Sequence, residues 1–224
     1  MDKRSNLENK AYIETDRYIY ANPLTRWLTN RGHKTCARLM KFDSPGGVVM
    51  DIGCGRGTHF CYITSAQIVG VDAMSEMLAK AKGNIHDKGS LVQGDILHLP
   101  FKDNSVVSIV SFGVLEHLPQ LEKALAEIKR ILSDKGEFVF GIPCEGFLYR
   151  LGRTFTTKRY VEKATGINYD EALSKEHVNR CQDILKALSK VFILQRLVGV
   201  PFLIPSIELN AFIVGRCIKK GVER

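Results

Sequence analysis

The sequence has 224 residues, of which 45% are hydrophobic and 25% are charged, so it can bury the core of one α/β domain. No window reaches the roughly 18 apolar residues of a bilayer span, and the polar N-terminus does not fit a secretory signal, which favours a cytoplasmic protein. The six cysteines lack the spacing of a zinc site or a disulfide framework, so we expect reduced, mostly buried thiols and no metal.

The net charge of +8 is unevenly distributed along the chain. Residues 1–47 carry +4 and residues 144–224 carry +6, whereas residues 48–143 carry −2. If the middle binds a cofactor and the flanks bind the substrate, this excess indicates an anionic substrate or an anionic surface. Ordinary solubilising charge explains the same excess equally well.

Apolar runs alternate with segments of helical periodicity over residues 47–142, which predicts βαβ units and a parallel sheet. The predicted elements in chain order are a strand GVVMDIG, a helix from near Gly57, a strand QIVGVD, a helix MSEMLAKAKG ending at Gly83, a short strand SLVQGD, a strand VVSIVSFG, a helix over 120–132 and a strand GEFVFGIP. In the helix over 120–132, apolar residues recur at spacings of 4, 3 and 4, which predicts a stripe packed on the sheet: Leu121, Leu125, Ile128 and Leu132.

The pattern changes after residue 143. Aromatic, basic and glycine residues mix over about 144–177, which predicts a variable insertion. A helix over Val178–Ser189 follows, and then two apolar runs, VFILQRLVGV and IELNAFIVGRCIK, separated by PFLIPS. Proline-bounded runs at this position predict two final strands joined as a hairpin.

A glycine-rich turn follows the first predicted strand, with the sequence Asp51-Ile-Gly53-Cys54-Gly55-Arg-Gly57. Glycine adopts backbone angles closed to other residues and lets the main chain approach a ligand without a Cβ in between. Exposed amides at the start of a following helix suit an anion such as a carboxylate. The turn therefore predicts a ligand site.

Two further positions distinguish between nucleotide ligands. The dinucleotide fingerprint requires a third glycine three residues after the second, and Thr58 occupies that position. Asp72 ends the second predicted strand, 19 residues past Gly53, where a carboxylate can accept hydrogen bonds from both ribose hydroxyls. The pattern predicts an adenosine-type ligand without a 2′-phosphate and disfavours a nicotinamide dehydrogenase.

Four blocks resemble the class I S-adenosylmethionine-dependent methyltransferases in that family's order, over roughly residues 47–143. They are VVMDIGCGRGTHF, GVDAMSEML, VQGDILHLPF and SFGVLEHLP. LSDKGEFVFGIP also resembles the family's entry into the fifth strand, although Asp134-Lys135-Gly136 replaces the usual Pro-Gly pair. The resemblance implies S-adenosyl-L-methionine as cofactor and methyl transfer as activity.

The resemblance also implies a fold and a division of the chain. The implied fold is α/β, with a Rossmann-like seven-stranded sheet, mostly parallel with an antiparallel C-terminal hairpin, and helices on both faces. Within this single domain we expect a helical N-terminal cap (1–45), a cofactor-binding core (46–143), a substrate-side insertion (144–177) and a C-terminal helix and hairpin (178–224).

Each matching block implies a role for its residues. The first would hold the methionine part of the cofactor; Asp72 would bind the ribose, Met74 would lie against the adenine, Asp95 would bind its amino group, and the Ile96 backbone a ring nitrogen. Cys54 is better explained as a small buried side chain than as a nucleophile. The implied cofactor-binding residues are Asp51, Gly53, Cys54, Gly55, Gly57, Asp72, Ala73, Met74, Gly94, Asp95, Ile96 and Phe112.

Two histidines are candidates for catalysis. His117 lies just past the fourth predicted strand, and imidazole titrates near neutrality, so it could take a proton from an acceptor hydroxyl or simply hydrogen-bond its loop. His177 lies near the start of the last predicted helix, in a segment that often borders the substrate in similar enzymes. The alternative for His177 is a solvent-facing residue.

The flanking segments carry weaker indications. Tyr12 or Tyr20 could contact the cofactor if the N-terminal helices cover it, with simple packing of an accessory helix as the alternative. The segment FLYRLGRTFTTKRYVEK carries five basic residues against one acid, interleaved with aromatics. It could bind phosphate, nucleic acid or a lipid headgroup surface, or form a lid over a small-molecule pocket.

The acceptor class is the least constrained prediction. Nucleic-acid amino methyltransferases commonly carry an Asp/Asn-Pro-Pro-aromatic motif after the fourth strand, where this chain has Ser111-Phe112-Gly113-Val114. We therefore expect a small-molecule, lipid or glycan-precursor acceptor, methylated on oxygen, with carbon and nitrogen as the alternatives. The alternatives are an RNA-modifying enzyme, supported only by the basic flanks, and a non-catalytic cofactor-binding module, which the intact motifs disfavour.

Overall fold

A seven-stranded sheet forms the centre of the fold in a computed structural model, which describes residues 6–41, 47–64, 66–85 and 89–220. The side chains of residues 6–12 and of Leu148 are outside this description. The strands are β1 Val48–Ile52, β2 Gln67–Asp72, β3 Gly89–Gln93, β4 Val106–Phe112, β5 Leu132–Pro143, β6 Phe192–Val200 and β7 Phe212–Lys219. Their spatial order is β3-β2-β1-β4-β5-β7-β6.

The strand directions confirm the predicted sheet. β1 to β5 pair in parallel, and β7 lies antiparallel between β5 and β6, so the last two strands form the expected hairpin. The chain order reverses at β1, which has β2 on one side and β4 on the other. In open α/β sheets, ligands bind at the carboxyl ends of the strands at such a reversal.

The helices cover both faces of the sheet. They are α1 Asn6–Ala21, α2 Pro23–Leu39, α3 Ser75–Ile85, α4 Leu121–Ile131, α5 Phe147–Arg153, α6 Arg159–Thr165, α7 Tyr169–Glu176 and α8 Cys181–Val191. One core joins α4 and α8 to alternate strand residues such as Ile109 and Phe138, and the other joins α2 and α3 to their neighbours Val110 and Val139. This alternation is the period of two expected for a sheet buried on both faces.

The helix predicted from near Gly57 is wrong. Only a short 3₁₀ turn forms, over Thr58–Cys61. Nine residues separate Gly57 from the start of β2, which is too short for both a helix and the return to the sheet. Instead α2 covers that face, and its Cys36 is completely buried.

The other helices form where periodicity predicts them, with shifted ends. α4 buries the predicted stripe, but Leu132 already begins β5. α3 continues past Gly83 to Ile85, because Gly83 is exposed and a helix tolerates one glycine. α8 begins at Cys181, three residues after the predicted Val178.

The insertion is largely helical. α5, a π-helical turn over Thr154–Lys158 and α6 follow each other directly, and Gly166 ends α6 in the left-handed conformation with a φ of 72°. The Tyr160 ring of α6 packs on Tyr18 of α1, with 4.6 Å between centroids. The insertion and the N-terminal helix therefore contact each other.

Two further expectations concern the whole chain. The six cysteines are free, and all except Cys61 are buried, as predicted. Within the described residues, none of the helices has the length and apolar composition that a bilayer span requires.

Candidate functional site

The glycine-rich turn lies at the carboxyl end of β1, where the strand order reverses. Gly53, Gly55 and Gly57 have φ angles of 70°, 53° and 77°, which L side chains rarely adopt. A Cβ on Gly53 would lie 2.2 Å from Cγ2 of Val114, so only glycine fits. A Cβ on Gly55 would meet no described atom within 4 Å, so the turn presents its backbone to open space.

Asp72 connects this turn to the end of β2. Its Oδ2 accepts a hydrogen bond from the Gly55 amide, and its Oδ1 accepts one from the Met74 amide, each at 2.8 Å. Each carboxylate oxygen has two lone pairs, so an Asp72 held in this way can also accept ribose hydroxyls. Ala73 and Met74, which are exposed and half-buried, continue the chain from this carboxylate.

Asp95 follows β3 at the same edge of the sheet. Its exposed side chain accepts the Leu97 amide through Oδ1 at 2.9 Å, which fixes the direction of the carboxylate. The Gly94 amide donates to the Asp72 carbonyl at 3.0 Å, and Ile96 is buried against the core. Parallel pairing of β2 and β3 thus brings both predicted carboxylates to one edge.

These features fit an adenosyl sulfonium. The turn offers backbone without side chains in the way, and two oriented carboxylates stand after neighbouring strands. The residues that would hold the cofactor are thus the glycine turn, Asp72 and Asp95.

Three predicted cofactor residues have side chains in the interior. Both oxygens of the buried Asp51 lie 3.2 Å from Nδ1 of the buried His59. The Phe112 ring packs 4.3 Å from the His33 ring, between centroids. Cys54 is buried, and this burial raises the pKa of its thiol, as expected for a residue that is not a nucleophile. A role for these three at the cofactor stays a prediction.

The histidines beneath the turn have no recognisable sequence signal. His33 of α2 packs edge-on against His59 with 4.3 Å between ring centroids, and burial lowers the pKa of His33 well below its usual value. Sequence spacing does not reveal the pairing of Asp51 with His59, because it depends on the 3₁₀ turn that replaces the expected helix.

The N-terminal helix α1 lies over the outer side of the turn. The Tyr20 hydroxyl hydrogen-bonds to Thr58 Oγ1 at 2.7 Å, and the Arg56 guanidinium lies 4.1 Å above the Tyr20 ring. Arg56 also donates to Asp16 at 2.5 Å. Burial raises the pKa of Tyr20 to about 12. Tyr20 is thus next to the turn, whereas the side chain of Tyr12 is outside the described residues.

The two candidate histidines are brought together beyond the end of β4. His117 and His177 pack edge to face with 4.9 Å between ring centroids. His117 Nδ1 bonds to the Glu176 carbonyl at 3.0 Å, and His177 Nδ1 to Glu145 Oε1 at 2.9 Å. Nε2 of His117 lies 3.8 Å from Oε1 of Glu116. We call these four residues, Glu116, His117, Glu145 and His177, the histidine cluster.

The carboxylates of the histidine cluster have opposite environments. Glu116 is 3% exposed, its Oε2 has no hydrogen-bond partner among the residues that the structure describes, and burial raises its pKa to about 7. The pKa of Glu145 is lowered, chiefly by its hydrogen bond with His177. Sequence reasoning missed both residues. The adjacency of Glu116 to His117 was a weak signal, and nothing in the sequence pointed to Glu145.

Comparison with known proteins identifies the family to which this chain is similar. A family model described as "Methyltransferase domain" matches residues 50–140. A protein of Encephalitozoon cuniculi named as a methyltransferase is 30% identical over 175 residues, which are 74% of this chain and 74% of that protein. A sterol 24-C-methyltransferase of Gibberella zeae is 33% identical over 106 residues, or 44% of this chain. Those residues are 27% of that protein, so the chain spans about a quarter of the sterol enzymes it matches.

Solved structures agree on the fold. An S-adenosylmethionine-dependent methyltransferase from Thermotoga maritima superposes with a TM-score of 0.67 at 19% identity, covering 95% of this chain and 98% of that one. A geranyl diphosphate methyltransferase gives 0.64 at 16% identity, over 88% of this chain and 87% of that one. The matching sequence family, the sheet order and the glycine turn tied to Asp72 agree, and the chain therefore belongs to the class I methyltransferases, which use S-adenosylmethionine as methyl donor.

Proposed function

We propose that this methyltransferase transfers the methyl group to an oxygen atom of a small-molecule acceptor. The observation that carries the proposal is the contact between the cofactor turn and the segment after β4. Gly53 of the turn packs against Val114, and Glu116 and His117 follow Val114 directly in the chain. The site for the donor and a cluster of polar side chains therefore lie next to each other.

We assign the cofactor as follows. Asp72 accepts the ribose hydroxyls, Asp95 accepts the adenine amino group, and the methionine part approaches the glycine turn at Gly55, where no Cβ stands in between. Ala73, Met74, Gly94 and Ile96 border the adenine, while Asp51, Cys54, Gly57 and Phe112 hold the turn in place. When bound, S-adenosylmethionine supplies an electrophilic methyl group on a sulfonium.

The remaining task of the protein is to position the acceptor and exclude water. Alignment of two reactants contributes on the order of 7–11 kcal/mol in well-oriented systems. We propose that His117 and His177 form the polar wall that receives the acceptor oxygen. Both rings are held in place, because each Nδ1 bonds to an oxygen atom of the protein.

The acceptor that fits the surface best is apolar and carries a negative charge. Phe147, Leu151 and Phe155 repeat every four residues along the insertion and are exposed, by 67%, 48% and 62%. Arg150 and Arg159, also exposed, lie between and after them. The names of the relatives point the same way, since a sterol is apolar and geranyl diphosphate joins an apolar chain to an anion.

An RNA acceptor is less well supported. Arg153 and Lys158, two of the five basic residues in the insertion segment, both pair with Asp170. This pairing reduces the positive charge that a phosphate backbone would meet.

Calorimetric titration tests the cofactor assignment. We expect micromolar binding of S-adenosylmethionine and negligible binding of NAD. Asp72→Ala should weaken S-adenosylmethionine binding by about 1.5–3 kcal/mol, as is usual for hydrogen bonds to a charged group. Asp134→Ala, which removes a carboxylate 87% exposed, is the matched control and should bind normally. Equal affinity of the two variants would refute the ribose role of Asp72.

The acceptor assignment needs a product. Incubation with methyl-labelled cofactor and fractionated cell extract should place the label in an organic-solvent fraction, in a compound whose methyl group is bound to oxygen. Label in the RNA fraction, or on carbon, would overturn that part of the proposal.

A further inference from the structure

The histidine cluster contains a set of donor atoms suited to a metal ion. Glu116, His117 and His177 each offer one ligand atom, and these atoms all lie within 4.8 Å of one another. We propose that these three residues bind a divalent transition-metal ion. Binding of the metal ion is independent of the proposed function. The placement of the ion beside the acceptor oxygen rests on the proposed function.

The hydrogen bonds of the two rings set the nitrogen that faces the ion. The Glu176 carbonyl can only accept, so His117 Nδ1 carries the proton and the lone pair is on Nε2. The Glu145 carboxylate lies 2.9 Å from His177 Nδ1 and, when ionised, likewise accepts its proton. Metal-binding histidines almost always have the second nitrogen bonded to a carbonyl or carboxylate in this way.

Glu116 provides an independent observation. Its side chain is 3% exposed, and its Oε2 has no hydrogen-bond partner among the described residues. A buried polar atom without a partner is costly, and an ion between this carboxylate and the two imidazoles would provide one. No lysine or arginine contacts the Glu116 carboxylate in the part of the chain that the structure describes.

The type of donor selects the class of ion. Two imidazole nitrogens and one carboxylate oxygen suit Mn²⁺, Fe²⁺, Co²⁺ or Zn²⁺, whereas Mg²⁺ and Ca²⁺ prefer oxygen ligands alone. Ligands of one such ion, each bonded at about 2.1 Å, are about 3–4 Å apart. Small side-chain rotations would bring the three donor atoms to this spacing. Three protein ligands leave coordination positions open for an acceptor.

Sequence spacing did not predict this site, because Glu116 and His177 are 61 residues apart and meet only in the fold. An ion here gives His117 and His177 a role as ligands instead of bases. Its positive charge beside the acceptor would favour the ionised form of an acceptor hydroxyl. Glu145 would be a positioning residue that orients His177.

Cobalt binding tests the proposal on the full chain, with any affinity tag removed. Equilibrium dialysis with Co²⁺, followed by visible absorption, should give one equivalent bound with micromolar affinity. Glu116→Gln, which retains the shape, and His117→Ala and His177→Ala should each weaken binding at least tenfold. His98→Ala is the matched control, since this exposed histidine pairs with Lys123 outside the cluster.

The outcomes separate metal binding from methyl transfer. Absence of bound Co²⁺ in the wild type, or equal binding by all four variants, would overturn the metal site. Thermal melting of each variant shows whether lost Co²⁺ binding reflects unfolding. Glu145→Gln, a variant outside the three ligands, should weaken Co²⁺ binding less than His177→Ala does. Stoichiometric Co²⁺ binding without S-adenosylmethionine binding would retain the metal site and reject the proposed function.

Discussion

At the scale of single residues, backbone conformation determines the cofactor turn. Gly53 combines a φ of 70° with close packing on Val114, so a side chain there meets both backbone strain and a steric clash. Beneath it, Asp51 and His59 form a buried pair that supports the turn from the core side. The turn is therefore rigid before a ligand arrives, which reduces the entropy cost of binding.

Two glycine substitutions should have opposite effects. Gly53→Ala should lower the free energy of unfolding by about 1–3 kcal/mol, the usual cost of a left-handed conformation for other residues, and should weaken cofactor binding. Gly83→Ala, at an exposed position of α3 where a Cβ would meet no described atom within 4 Å, should raise stability by about 0.5–1 kcal/mol. Urea unfolding measures both. Similar changes in the two variants would contradict the assigned conformation of Gly53.

At the scale of secondary-structure elements, α4 holds the loop between β3 and β4. Arg130 donates to the carbonyls of Leu99 and Phe101 at 3.0 and 2.9 Å, and to Asp103 and Glu127 at 2.6 and 2.7 Å. One guanidinium thus satisfies two loop carbonyls and two carboxylates. This loop begins at Gly94 and contains Asp95, so α4 indirectly supports the segment that we propose to bind the adenine.

Replacement of this guanidinium should show a pH dependence. Arg130→Met should lower the free energy of unfolding at pH 7, because two loop carbonyls and two carboxylates lose their shared donor. The pKa of Glu127 is lowered, chiefly by its hydrogen bond with Arg130. The Glu127–Arg130 interaction therefore stabilises the folded state fully above the ordinary glutamate pKa of about 4.3, and this stabilisation is lost as the pH falls through the lowered pKa of the folded state.

The difference between Arg130→Met and the wild type should therefore narrow below about pH 4. Urea unfolding at pH 7 and at acid pH measures it. Lys129→Met, in the same turn of α4, is the control and should differ little from the wild type at either pH. A difference for Arg130→Met that stays constant with pH would argue against the Glu127 interaction.

At the scale of the whole molecule, the N-terminal helix α1 contacts both the glycine turn and the insertion. α1 bonds to the glycine turn through Tyr20 and Arg56, and Tyr18 packs on Tyr160 of the insertion. Parts of the two basic flanks of the sequence, α1 and α6, are thus neighbours in space. Because α1 lies outside the hydrogen-bonded sheet, it should open more easily than the central strands.

Hydrogen exchange should detect this opening. Tyr20→Phe removes the bond to Thr58, worth about 1 kcal/mol, and should speed amide exchange in residues 13–21 about fivefold while exchange in β1 and β4 stays unchanged. Tyr160→Phe retains the ring that packs on Tyr18 and is the control. Equal acceleration in α1 and the central strands would show that α1 is part of one cooperative unit with the sheet.

The family and most strand and helix positions were predictable because their signals are local. Continuous apolar runs mark the strands, the 4-3-4 spacing marks α4, and the positive φ angles of the turn require glycine whatever surrounds them. Asp72 was also predictable, since its position at the end of a strand follows from its distance to Gly53 along the chain.

Only the tertiary structure decided the contacts between distant parts of the chain. α2 covers a sheet face where the pattern predicted another helix, and Asp51 consequently meets His59. Glu116, Glu145 and His177 converge because the ends of β4, β5 and α7 lie together. The sequence alone determined the cofactor turn, since backbone angles are set locally, whereas the metal-binding geometry required the fold, since no periodicity encodes the distance between residues that far apart.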